Sequence, residues 1–177
     1  VFGYTPGQST SLSGAQNGGV FLGMLSVGIL ATGLKIGALR NWVMTGCVGS
    51  ALSLILITFL GPIGPTAPLM PAVVLLGFFN GTFAVAAIGS MMALAAQGAE
   101  RREGTRMGLW GAAQAIAAGF GGLVGAAMVD VLRYSMSDTQ AFGIVFLAEA
   151  ALFIAATAMA AKIMEGKMPS ATVVPGE

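Results

Sequence analysis

The chain has 177 residues, of which 56% are hydrophobic and only 8% charged, with a formal net charge of +1 and no histidine. A soluble domain carries about a quarter charged residues, and disorder requires low hydrophobicity with high charge, so this composition excludes both. A balance this close to neutral gives no reason to expect a nucleic-acid partner. The remaining class is an integral membrane protein, with membrane lipids as its immediate surroundings.

Residues 1–13, rich in Gly, Pro, Ser and Thr, read as a polar loop. A hydrocarbon core of about 30 Å needs roughly 20 helical residues, and five apolar runs reach that length: Gly14–Leu34, Trp42–Leu60, Leu69–Ala96, Met107–Val129 and Ala141–Ala161. The third is longer than an upright crossing requires and should tilt, bend or protrude. Pro68 and Pro71 stand at its start, where a missing amide costs least. Continuous runs argue against a barrel, whose strands alternate in polarity. The expectation is an all-α membrane protein, with residues 14–163 forming the helical bundle and 164–177 a tail.

Charge placement sets an orientation. The connection at 35–40 holds two cations, 61–68 none, 97–106 three, 130–140 one, and the tail from Lys162 two. Seven of the eight Lys and Arg residues therefore fall on one side, which the positive-inside rule makes cytoplasmic. The N-terminal segment is then periplasmic and the C-terminus cytoplasmic. The chain lacks an initiator Met and a signal peptide, and it reads as the C-terminal part of something longer.

Most catalytic templates fail. Without histidine there is no Ser-His-Asp triad and no usual metal or tetrapyrrole ligand. Cys47 is a single cysteine inside the second run, so neither a disulfide nor a thiolate cluster is expected. Gly166-Lys167 lacks the remainder of a phosphate loop. The string "GFGGLVG" (119–125) has no preceding strand and reads as close helix packing rather than a dinucleotide fingerprint. Asn80-Gly81-Thr82 matches a glycosylation acceptor but sits within a span. No enzyme is expected.

Small-residue seams and a few polar groups remain. Gly14, Gly18, Gly19 and Gly23 form one seam, and Gly77 with Gly81 another. In the fourth run Gly104, Gly108, Ala112 and Ala115 share a stripe that Gly121 and Gly125 continue. Such stripes let helix backbones meet, the main force available between helices in a bilayer. Glu149 falls about eight residues into the last run, roughly 12 Å below the outer boundary at the helical rise. A carboxylate there is costly unless protonated, paired or wetted, and it marks either an interhelical hydrogen bond or a functional site. Asn80, Gln114, Gln16 and Asn17 form a second tier, either as glue between helices or as ligand contacts. Trp110 and Gln114, one turn apart, would set a flat aromatic face beside an amide, although Trp110 also lies where indoles anchor at an interface.

The string "GFFNGTFAVAAIGSMMALAA" (77–96), with Gly77, Asn80, Gly81 and Thr82, is followed by a short basic loop and "GLWGAAQA" at Gly108–Ala115. With Gly122, Asp130 and the opening "VFGYTPGQSTSLSGAQNGG", these residues resemble the C-terminal half of the PucC/LhaA family, up to about residue 165. This is the bacteriochlorophyll-delivery branch of the major facilitator superfamily. The resemblance implies that the five spans are helices eight to twelve of a twelve-helix bundle, in the photosynthetic intracytoplasmic part of a bacterial inner membrane. "GLKIGALR" (33–40) would occupy the superfamily's basic loop without its acid.

The resemblance also implies a role in assembling light-harvesting antenna complexes, with bacteriochlorophyll bound or handed over. Antenna α/β polypeptides or a reaction-centre antenna complex would be the partners. A chlorin's magnesium takes an axial ligand, and without histidine the candidates are Gln114, Asn80 and Glu149, a backbone carbonyl or a water, with Trp110 beside them. Gly77, Gly81, Gly108, Gly121 and Gly125 would serve helix packing or partner docking. Two other roles fit the same residues: a proton-coupled exporter of a small organic solute using Glu149, and a structural subunit of a photosynthetic membrane complex.

Overall fold

A computed structural model describes residues 3–96 and 103–165. Five helices follow one another: α1 (Pro6–Val27), α2 (Leu39–Leu60), α3 (Leu69–Ala96), α4 (Glu103–Arg133) and α5 (Asp138–Glu165). All five are long and apolar enough to cross a membrane, and there is no strand among the described residues. The protein is an all-α membrane protein. The cations Arg101, Arg102 and Lys167, most of the 97–106 connection and nearly all of the tail lie outside the described residues.

α1 starts at Pro6, eight residues before its apolar run, so much of the expected 1–13 loop is helical. The reason is local. The Thr5 hydroxyl accepts from the Gln8 amide at 3.3 Å and Gln8 Oε1 accepts from the Thr5 amide at 2.9 Å, a capping box with proline at the first helical position. The hydroxyls of Thr10, Ser11 and Ser13 then donate to the carbonyls of Pro6, Gly7 and Ser9, so these polar side chains find partners within the helix. A similar box starts α5, where the Gln140 amide donates to Ser137 Oγ and the Ser137 amide to Gln140 Oε1.

At the other end α1 continues into a π-helical turn, Gly28–Gly33. The chain reverses through Lys35 (φ 54°) and Gly37 (φ 77°), and Trp42 Nε1 pins this turn by donating to the Ile36 carbonyl at 2.9 Å. α2 ends in a 3₁₀ segment, Gly61–Thr66, broken at Gly64 (φ 72°). The long third run is a single helix of 28 residues.

In space the helices pack in the order α1, α3, α2, α5, α4. The α1–α3 contact is backbone against backbone. A methyl group on Gly77 would run into the Gln16 carbonyl, and one on Gly81 into that of Val20. Reciprocally, Gly19 lies on the Val74 carbonyl and Gly23 on that of Phe78. The matched residue numbers rise together, so the two helices run parallel. Small residues at spacing four on both helices permit this approach. Gly14 and Gly18, expected in the same seam, face open space.

α2 runs antiparallel to α3, with Gly46 against the Phe83 backbone and Gly49 under the Phe79 ring. Val27, Val43, Cys47 and Ala86 form the core at the end bearing Lys35 and Arg40. Ile57, Leu60, Leu69, Ala72 and Val73 form it at the opposite, less basic end. Arg40 Nη2 donates to the Ala161 carbonyl at 3.3 Å, placing a cation at the C-terminal end of α5, where the helix dipole favours it.

α4 stands apart. It meets α5 mainly near Gly125 and Val129, and every other residue from Gly111 to Met128 is exposed. Gly104, Gly108, Gly111, Gly119, Gly121 and Gly122 have no neighbouring atom within 4 Å of an added methyl group. Of the stripe expected to pack α4 into the bundle, Gly104, Gly108 and Gly121 therefore make no such contact, and Gly125 alone of its glycines meets a neighbouring helix among the described residues.

Candidate functional site

A cleft of about 700 Å³ lies at the less basic end, walled by α1, α2, α3 and α5. Leu54, Ile57, Leu69 and Val73 make its apolar floor, and Tyr4, Ser9 and Thr139 lie around its mouth. Deeper in, Gln16 of α1 and Glu149 of α5 contribute the polar groups. Gln16 lies ten residues into α1 and Glu149 eleven into α5, so at about 1.5 Å per residue both sit roughly 15 Å from their helix starts.

One face of α5 carries the site. Phe142, Phe146 and Glu149 follow the i, i+4, i+7 spacing of a single helix face, and all three line the cleft. The two rings are 6.3 Å apart between centroids and tilted by 34°. Glu149 has neither a hydrogen bond nor an ion pair among the described residues, and it faces Gly125 of α4, with Oε1 4.0 Å from a methyl group built there.

A second, smaller space of about 370 Å³ lies between α4 and α5. Gly121, Gly122 and Gly125 line one side, and Phe142, Phe146 and Glu149 are shared with the cleft. Arg133 stands at its end. This guanidinium reaches Asp138 at 3.0 Å and Asp130 at 4.0 Å, and its Cζ lies 5.2 Å from the Phe142 ring centroid.

The structure separates the residues singled out from the sequence. Glu149 and Gln16 both line the cleft. Asn80 lies between α2 and α3, where its Oδ1 accepts from Ser50 Oγ at 2.8 Å. Trp110 is half-buried and Gln114 exposed, both on α4. Gln114 is eleven residues before Gly125, about 16 Å along the helix from the level of Glu149. Sequence reasoning missed Phe142 and Phe146, although their spacing with Glu149 could have revealed them. Among the described residues no group of three or more His, Cys, Asp or Glu could hold a metal ion.

A family model described as PUCC protein matches residues 1–168. The chain belongs to the PUCC family. The resemblance read from Gly77–Thr82 and Gly108–Ala115 is thereby confirmed. This PUCC chain is 62% identical over 179 residues to the "Bacteriochlorophyll synthase 44.5 kDa chain" of Rhodobacter capsulatus, an alignment covering 100% of this chain and 42% of the relative. It thus spans less than half of that relative's length. No solved structure matches this PUCC chain.

Proposed function

We propose that the full-length PUCC protein binds bacteriochlorophyll and hands it to light-harvesting antenna polypeptides as their complexes assemble, without a catalytic step of its own. The observation that carries this reading is the carboxylate of Glu149, unpartnered among the described residues, in a cleft walled by Phe142 and Phe146. The relative that is 62% identical is named for bacteriochlorophyll, which supports the choice of pigment.

The residues fit such a cargo. A cleft of about 700 Å³ falls within the usual range for small-molecule sites. Aromatic faces favour offset stacking with a flat ring. Glu149 offers an oxygen ligand to a central magnesium, and Gln16, at the same depth, offers an amide. An oxygen ligand holds less tenaciously than histidine would, which suits a carrier that must release what it binds. Asn80 is committed to Ser50, so its part is to join helices. Gly108, Gln114 and Gly121 are exposed on α4 and Trp110 is half-buried there, and single-span antenna helices would dock on this helix by close packing.

In this reading the five helices are helices eight to twelve of a major-facilitator-type bundle. The end bearing Lys35 and Arg40 faces the cytoplasm by the positive-inside rule, and the cleft opens toward the periplasm. The membrane is the photosynthetic inner membrane. The reading without a catalytic step is supported by the lack of histidine in this chain.

Pigment content and absorption spectrum of the purified full-length protein test the proposal. Glu149→Leu should lose most of the pigment and Gln114→Leu should keep it. Unchanged pigment in Glu149→Leu would overturn the site. A proton-coupled exporter would use the same carboxylate, and solute-driven flux in proteoliposomes, abolished in Glu149→Gln, would favour that role instead.

A further inference from the structure

We propose that the groove between α4 and α5 is a lateral entrance, through which a flat, apolar, metal-centred ring reaches Glu149 directly from the bilayer. This rests on the pigment reading above and adds the route to it. Three residues, Phe142, Phe146 and Glu149, line both the cleft and the groove, so the two spaces adjoin along one row of α5 side chains.

The groove's walls come from within α4 and α5 rather than from loops, so it opens sideways along the helices. Its α4 wall begins with Gly121, Gly122 and Gly125 and continues through Ala126, Val129 and Asp130 to Arg133. Gly121 and Gly122 have open space around them, and Gly125 faces the Glu149 carboxylate, so at this level, beside Glu149, α4 offers no side chain to obstruct a planar molecule. Its far end is closed by Arg133, held by Asp138 and lying over Phe142. A ring entering there meets an ion pair at its edge and a carboxylate at its centre. An electropositive metal is attracted to that carboxylate, which no cation among the described residues neutralises. A highly polar solute gains nothing from a glycine-walled path through hydrocarbon and would use the wider cleft.

The test uses full-length protein in proteoliposomes whose lipid contains bacteriochlorophyll a, with uptake followed by the shift in pigment absorbance over time. Gly122 is replaced by Ala, Leu and Phe. Because the position faces open space, each variant should fold. The entrance predicts that uptake slows as the side chain grows, by about tenfold for Gly122→Phe, equivalent to about 1.36 kcal/mol on the barrier, while the amount bound at equilibrium holds. Glu149→Gln should instead lower the equilibrium amount. If uptake is unchanged across the Gly122 series while Glu149→Gln loses pigment, the entrance is wrong and the pigment site stands. If Gly122→Phe lowers the equilibrium amount without changing the rate, the groove is the seat and not the way in, which also overturns the proposal. If the wild type takes up no pigment, the pigment reading itself fails and the entrance with it.

Discussion

Ser50 of α2 donates a 2.8 Å hydrogen bond to the side-chain oxygen of Asn80 on α3. Ser50 is fully buried, and the bond ties two antiparallel helices at a point where no water competes. Interhelical hydrogen bonds in membranes contribute about 0.6 kcal/mol on average and at most about 1.7 kcal/mol. Ser50→Ala should therefore lower stability by about that average amount in a denaturation titration. Pigment content should be unaffected, which separates this pair from the cleft.

Gly77 and Gly121 look alike in the sequence and should behave oppositely. A methyl group at Gly77 meets the Gln16 carbonyl, and no rotamer change can relieve a clash with backbone. Gly77→Ala should cost about 1–3 kcal/mol, the usual range for overpacking. Gly121→Ala adds its methyl to open space and should stay within about 0.5 kcal/mol of the wild type. Thermal inactivation of the two variants side by side would measure the contrast.

Arg133 and Asp138 pair at 3.0 Å, but their side chains remain 41% and 56% exposed. A pair so open to solvent contributes less than about 1 kcal/mol and is screened by salt. Asp138→Asn should therefore have a small effect on stability at low ionic strength and none in concentrated salt. A large, salt-independent loss would show that Asp138 does more than pair with Arg133.

Orientation is testable at two exposed positions. Ile36 lies in the turn before α2 and Ser135 in the turn between α4 and α5. In intact cells a membrane-impermeant maleimide should label Ser135→Cys and spare Ile36→Cys. The reverse pattern would invert the topology and turn the cleft toward the cytoplasm.

The crossings were legible because a span needs about 20 consecutive apolar residues, and five runs supply them. The start of α1 was not, because Gly7, Gln8, Ser9, Thr10, Ser11 and Ser13 read as loop by composition. Their helix depends on a capping box and on hydroxyls that bond back to carbonyls one turn earlier. Glu149 stood out as a charge in an apolar run, and its aromatic companions did not, since a phenylalanine in a membrane helix is unremarkable wherever it points. The glycine stripes showed their spacing but not their partners: Gly77 and Gly81 are packed, and Gly108 and Gly121 are open.

The sequence alone determined that the chain is a helical membrane protein and how many of its runs can cross, because both follow from local composition against a fixed hydrocarbon thickness. Only the tertiary structure decided that Gln16 and Glu149, 133 positions apart, share one cleft and that α4 stands open beside it. In water a buried helix face is more apolar than an exposed one, and the pattern can be read. In a bilayer the lipid is as apolar as the core, so packed and lipid-facing surfaces carry the same residues, and contact is settled by shape.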